Sequence, residues 1–306
     1  MSGQNKNFVI SVYCPVGGMG VSLIASQLVQ QLAKLKTSCL LDLNLDCCVS
    51  LYYLNLEPLK DFRKAAMSGD ESIRLSNFAI KVREKFFALG APLIGYGQFA
   101  EDMQGSMKEL FEQCRSEFEC TVVDLPHPFH AELCKTAISM SDLVIVLVGN
   151  TTYSADAIIQ LKKLLSESKP TVDAKKIVYV VNSKFEHPPF PLMLKGTVLI
   201  ALLTVMKLYW TYLLANQAVL AIFVLALVLQ SARTGMAAKS RFSGAGKSAV
   251  TTLSKNDISI FHTFPFDGTS CKYAINKGTL LPEDKAMSKS MTQFVEKIQT
   301  KLSSGS

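Results

Sequence analysis

Cys14-Pro15-Val16-Gly17-Gly18-Met19-Gly20-Val21-Ser22 is the stretch that decides the fold. An apolar run from Phe8 to Cys14 leads into it, and an amphipathic stretch from Val21 to Leu35 leads out. A strand, a glycine-rich turn and a helix N-terminus in that order aim backbone N–H groups and the positive end of a helix dipole at one spot. A phosphate binds at such a spot.

Outward from this loop the same alternation repeats. Ser38 to Leu43, Phe86 to Leu89, Cys120 to Leu125, Leu143 to Val148, Ile177 to Val181 and Ile258 to Phe264 are short apolar runs of strand type. Met103 to Cys114, Ala155 to Leu165 and Met287 to Leu302 carry helical spacing. Strands apolar on both faces and separated by helices predict an α/β fold with a mostly parallel, doubly wound sheet. Ligands of such folds sit at the carboxyl ends of the strands.

Composition agrees. The 306 residues are 49% hydrophobic and 19% charged with 17 Gly and 11 Pro, which excludes collagen-like, low-complexity and disordered classes. The eight cysteines contain no CxxC pair and no secretory leader is read ahead of them, so reduced thiols in a reducing cytosol and no zinc site are expected.

The glycine loop resembles the deviant Walker A motif of the ParA/MinD family of P-loop ATPases, Lys-Gly-Gly-x-Gly-Lys-Ser/Thr. Gly17, Gly18, Gly20 and Ser22 match it, and Val16 and Val21 stand where the family has its two lysines. The resemblance implies an ATP site built from Gly17, Gly18, Met19, Gly20, Val21 and Ser22. In the family the lysine at the position of Val21 lies along the β- and γ-phosphates, and the lysine at the position of Val16 reaches across a dimer to the partner's nucleotide. Valine at both positions removes cations that neutralise charge on the transferred phosphoryl group, so weak or absent hydrolysis is expected. Binding through backbone amides and Ser22 survives that loss.

Leu40-Leu41-Asp42-Leu43-Asn44, followed by Ser50-Leu51-Tyr52-Tyr53-Leu54-Asn55-Leu56-Glu57-Pro58, resembles the family's switch region in the TadZ/CpaE pilus-assembly branch. Asp42 matches the first acid and is the candidate catalytic residue. Asn44 replaces the second, and a neutral amide does not hold an attacking water as a carboxylate does. Thr121-Val122-Val123-Asp124-Leu125-Pro126 resembles the Walker B strand, which implies Mg2+ held by Ser22 and, through water, by Asp124. Val180-Val181-Asn182-Ser183 resembles the strand end whose Asn recognises adenine, with Ser183 in place of the usual Arg. Phe264-Pro265-Phe266-Asp267 resembles the base-side loop, placing Pro265 at the nucleotide, and Ala274 to Gly278 the helix after it. His127 and His130, two histidines without a third ligand, read as loop polar groups rather than a metal site. Gly244-Ala245-Gly246-Lys247-Ser248 contains a GKS without the preceding glycine or strand of a phosphate loop and reads as a connector.

One region breaks the α/β pattern. Of the 39 residues from Leu192 to Gln230, all but nine are hydrophobic, and Leu208 to Leu229 carries no charge. A helix of about 20 residues spans a bilayer. The flanks must return to one sheet, so both ends of the insertion lie on one side of any membrane; a hairpin of two crossings or a re-entrant hairpin follows. A hairpin buried against a partner subunit is the competing reading, favoured by Lys207 within the run. Residues 1–186 and 241–306 are therefore read as two parts of one ATPase-like domain, and 187–240 as the inserted hydrophobic hairpin.

The net charge of +7 belongs to that insertion and its flanks. From His187 to Asn256 there is no acid and seven Lys or Arg, and setting these aside leaves 25 basic against 25 acidic residues. Basic flanks around an apolar hairpin match the positive-inside pattern of a cytoplasmic face, so membrane and not DNA is the expected partner. The combined expectation is a hydrolysis-impaired ParA/MinD-like protein. It would bind ATP and Mg2+, form a nucleotide-sandwich homodimer and be tethered through 192–230 to the cytoplasmic face of the bacterial inner membrane. There it would localise or assemble a pilus or secretion machine. The alternatives are an active partition or septum-positioning ATPase and a scaffold that binds no nucleotide.

Overall fold

The computed structural model describes residues 7–44, 48–57, 62–63, 73–90, 105–127, 131–149, 152–168, 172–182, 249–265 and 286–304. Eight strands form one sheet: β1 (Phe8–Tyr13), β2 (Ser38–Asp42), β3 (Ile80–Arg83), β4 (Phe86–Leu89), β5 (Cys120–Asp124), β6 (Leu143–Val148), β7 (Ile177–Asn182) and β8 (Ile260–Phe264). Their order across the sheet is β3-β4-β2-β5-β1-β6-β7-β8. Every neighbouring pair is parallel except β3 with β4. From β1 the chain builds one half of the sheet, returns to place β5 beside β1, and then builds the other half. The switch point therefore lies around the carboxyl end of β1, where doubly wound sheets bind ligands.

Alternate residues of each strand enter opposite cores, as a period of two requires. Val9, Leu41, Val123, Val144 and Val146 face one side, against α3 (Met107–Glu117), α4 (Ala131–Met140) and α5 (Thr152–Glu167) through Leu110, Phe111, Ala137 and Ile158. Ile10, Val12, Leu40, Val122 and Ile145 face the other, against α1 (Val21–Leu32) and α6 (Ala286–Ser304) through Ile24, Leu28, Met291, Phe294 and Ile298. Each such side chain, fully buried, contributes roughly 1.5–3 kcal/mol of transfer free energy, which makes the double-sided core the main favourable term of the fold. The C-terminal stripe Met287, Met291, Phe294, Val295 and Ile298 is thus core of its own domain, as its spacing predicts.

The sequence reading placed seven strands at these positions and did not foresee β3, α4 or α2, the short helix Val49–Tyr53. β3 forms an antiparallel edge with β4, and its outward-facing Lys81 and Arg83 are exposed. Charges on an edge strand discourage pairing with another chain. The apolar segment 192–230, the GKS at 246–248 and the Ala274–Gly278 stretch lie outside the described residues. Among the described residues no helix is long and apolar enough to cross a membrane.

All six described cysteines are buried. Burial pushes the thiols of Cys14, Cys114, Cys120 and Cys134 up to about 12. They are protonated packing residues rather than nucleophiles.

Candidate functional site

The carboxyl ends of β1, β2, β5 and β7 bring most of the sequence-predicted residues together. Gly18 and Gly20 adopt left-handed backbone with φ 76° and 83°. That conformation is nearly free for glycine and costly for other residues, which explains glycine at both positions. Gly20 caps α1, and its carbonyl accepts the Ile24 N–H at 2.9 Å. No side chain caps this helix and no acid lies in its first turn. Its free N–H groups and dipole are left for an anion.

Val16 and Val21 pack on the apolar core beneath the loop, together with Met19. The thioether of Met19 also lies against Gly149 at the end of β6, where an added Cβ would stand 2.6 Å from its sulfur. The loop is thus anchored by apolar contact at the two positions that the family resemblance assigns to lysines.

Two acids lie side by side beneath it. Asp42 and Asp124 are in register across β2 and β5, and both are buried. Asp42 Oδ1 accepts the Asn44 N–H at 2.9 Å, and Oδ2 accepts the Ser50 N–H at 3.0 Å and the Ser50 hydroxyl. Burial nevertheless pushes the Asp42 carboxyl up to about 6, against the pull of those bonds and of the Leu51 backbone. Asp124 lies well above the ordinary carboxylate range, first through burial and then through the neighbouring Asp42, while the Ser22 and Ser50 hydroxyls draw it down. Its Oδ2 has no hydrogen-bond partner among the described residues.

Ser50, which the sequence reading did not single out, is a central member of this site. Fully buried at the start of α2, it serves both acids, and its carbonyl accepts the Ser26 hydroxyl at 3.2 Å. Ser26 also donates to the Ser22 carbonyl at 2.7 Å, so α1 and α2 are tied together under the acids. The only local signal was a serine eight residues beyond Asp42, which a turn through Cys48 at φ 41° folds back.

An orphaned carboxylate oxygen, a second carboxyl in register with it and two hydroxyls form an all-oxygen donor set. Mg2+ prefers hard oxygen ligands and is commonly held by one or two carboxylates, water and substrate phosphates. The residues present therefore fit Mg2+, with Asp124 and Ser22 as the ones that would hold it. Among the described residues no cluster of three or more His, Cys, Asp or Glu that could hold a metal ion exists.

Asn182 is fully buried at the end of β7, and its amide donates to the Met19 carbonyl at 2.9 Å. It fixes the loop to the far half of the sheet, a positioning role separate from any contact with a base. Pro265 follows β8 at the same edge, half-buried. Asn44 accepts the Cys48 N–H through its carbonyl at 2.9 Å, closing the turn that presents Ser50.

No family model matches the sequence, and no curated protein is significantly similar to it. Solved structures do resemble the fold. A ParA family ATPase from Chlorobium tepidum superposes with a TM-score of 0.63 at 13% identity, over 96% of this chain and 99% of that one. MinD in the MinC:MinD cell division complex of Aquifex aeolicus gives 0.61 at 16%, over 96% of each chain. The septum site-determining protein MinD of Pyrococcus horikoshii, complexed with Mg-ADP, gives 0.61 at 10%, over 95% and 96%. The chain has the fold of the ParA and MinD P-loop ATPases.

Proposed function

We propose that this chain is a hydrolysis-impaired, ParA/MinD-like nucleotide-binding protein. One observation carries the reading: a buried carboxylate oxygen of Asp124 stands without a partner among the described residues, beside a phosphate-binding loop whose two lysine positions are Val16 and Val21. The acid side of an ATP·Mg2+ site is in place, and the cations that stabilise phosphoryl transfer are missing from the loop. The Pyrococcus horikoshii protein of the same fold is complexed with Mg-ADP, which supports nucleotide with Mg2+ as the ligand class. Loop amides and the α1 dipole would place the phosphates, and Ser22 and Asp124 would hold Mg2+, which would supply the positive charge that the loop lacks. Asp42, kept at the strand end by Ser50 and Asn44, is the group nearest to a role in activating water.

In this reading nucleotide works as a structural or dimer-bridging ligand. The Aquifex MinD binds MinC, which supports a fold that docks partner proteins. The protein would act as a localisation or assembly factor for a pilus or secretion machine at the cytoplasmic face of the inner membrane, with 192–230 as the tether. The motif resemblance to the TadZ/CpaE branch and the apolar, acid-free composition of that segment support this.

Equilibrium dialysis of the full chain with ATP and Mg2+, followed by product assay, tests the core of it. Saturable binding with turnover near background is expected, and Asp124→Ala should abolish the Mg2+-dependent part of binding. Val21→Lys should tighten ATP by about 10–100-fold, the worth of one charge-assisted contact. Steady hydrolysis that disappears in Asp124→Ala would establish the active-ATPase alternative instead. Absence of binding at millimolar ATP would establish the scaffold.

A further inference from the structure

The segment after β5 brings a histidine onto the phosphate loop. β1 and β5 are parallel neighbours with Val12 opposite Asp124, so the chains leaving them run side by side. The Leu125 N–H donates to the Val12 carbonyl at 3.1 Å, and the Cys134 thiol donates to the Pro126 carbonyl at 3.3 Å. The two residues before His127 are thereby pinned from both sides. The imidazole lies directly on Gly17: a Cβ added there would stand 2.8 Å from Cδ2 and 3.1 Å from Nε2 of the ring. φ at 17 is not in the left-handed region, so the close approach of the ring, rather than backbone strain, is what a side chain at 17 would meet. Both Gly17 and His127 remain exposed, so the ring borders the loop without being sealed inside it.

Around this ring the loop offers no cation, because residues 15–22 contain no Lys, Arg or His. Asn182 spends an amide hydrogen on the Met19 carbonyl, and Ser22 serves Asp124. We propose that His127 is the phosphate-contacting side chain of this site, a donor that replaces the loop's missing lysines and becomes the imidazolium when the phosphate chain is bound. The inference rests on the nucleotide-binding reading above and extends it to a residue outside the glycine loop.

Partial burial lowers the His127 pKa in the ligand-free protein, so the ring is neutral near pH 7. A phosphate in contact with it favours the charged form and draws a proton from solvent. The titratable groups on the described elements that adjoin it are Cys14, Asp124, Cys134 and the Glu132–Lys135 pair. At the end of β1 stands the Cys14 thiol, pushed up to about 12. β5 contributes Asp124, three residues back. From α4 come Cys134, also near 12, and Glu132, which is paired with Lys135 at 3.8 Å.

Titration calorimetry of the full chain tests this, with Mg·ATP and with Mg·tripolyphosphate, between pH 5.5 and 8.5 and in two buffers of different ionisation enthalpy. Wild type, His127→Gln and His127→Lys are compared. Wild-type affinity is expected to rise by about tenfold more than that of His127→Gln as pH falls from 8.5 to 6, with uptake of up to one proton per phosphate chain bound. His127→Lys should bind at least as tightly as wild type at pH 6 and lose the histidine-dependent slope. Titration of Asp42 and of the terminal phosphate is common to all three proteins and cancels in the comparison. Equal affinity and equal proton uptake in wild type and His127→Gln overturn the role of His127 while leaving nucleotide binding intact. Absence of binding by wild type and His127→Lys throughout this range overturns both.

Discussion

The two ends of the sheet treat their carboxylates in opposite ways. At the amino end, Asp142 accepts the Val9 N–H at 2.9 Å and pairs with Arg115 at 3.1 Å. Glu119 accepts the Thr37 N–H at 2.6 Å, and Glu117 holds the N–H groups of Leu75 and Ser76. At the carboxyl end, Asp42 and Asp124 stand next to each other in the core, pushed toward the neutral form, with one oxygen unpartnered. Acids that serve the fold are matched with donors or a cation. The buried pair has donors on Asp42, but it sets two carboxyls against each other and leaves one Asp124 oxygen without a partner among the described residues, which weakens the fold.

That contrast predicts mutational effects of opposite sign. Asp124→Asn should stabilise the Mg2+-free protein at pH 7.5, because it removes the repulsion by Asp42 and the cost of burying a second charge. The gain must depend on pH. A carboxyl raised from 3.8 to about 6 contributes stability that is present below about 3.8 and is lost as pH rises through about 6. Asp124, raised further, extends the loss upward. Urea melts of wild type should therefore weaken from pH 4 to 8, while those of Asp124→Asn should weaken less. Millimolar Mg2+ should restore wild type alone. A variant less stable than wild type at pH 7.5 would break the comparison.

At the other end the same substitution should hurt. Asp142→Asn leaves Arg115 without its carboxylate and weakens the bond that anchors the first residues of β1, costing about 1–2 kcal/mol in the same melts. The side chains are partly exposed, at 29% for Arg115 and 17% for Asp142, which keeps the loss below that of a fully buried pair. Magnesium should not change it. Equal and like-signed effects of the two Asp→Asn substitutions would show that the ends do not differ in kind.

How far these differences were legible in the sequence follows from what each depends on. β1, β2, β5 and β6 were readable because both faces are apolar, and the glycine loop because left-handed backbone demands glycine at 18 and 20. β3 was missed because only half of its residues are apolar, and α2 because five residues show no helical period. Asp42 and Asp124 each stood out through a motif, but their adjacency comes from the order β2-β5-β1, which only the assembled sheet fixes. Asn182 was singled out for a base, while its bond to Met19 spans 163 residues and has no local signature. Ser50 and the contact of His127 with Gly17 are likewise products of topology.

A third buried titratable group separates the site's pH dependence from the rest of the molecule. His262 in β8 stacks on Phe294 with ring centres 5.0 Å apart and shares a 2.9 Å hydrogen bond with the Ser290 hydroxyl. Burial, and then the nearby Lys297, lower its pKa to about 4. The sign is opposite to that of the acid pair: its stability is present above about 6.5 and is lost as pH falls toward 4. Between pH 4 and 6.5 the two contributions oppose each other, so the wild-type profile is flatter there than either alone. His262→Gln keeps a donor for Ser290 and removes the titration. Its melts should lose the acid-side weakening and show the decline from pH 4 upward more steeply than wild type. Combined with Asp124→Asn, the decline should shrink again, which assigns it to the carboxyl end of the sheet.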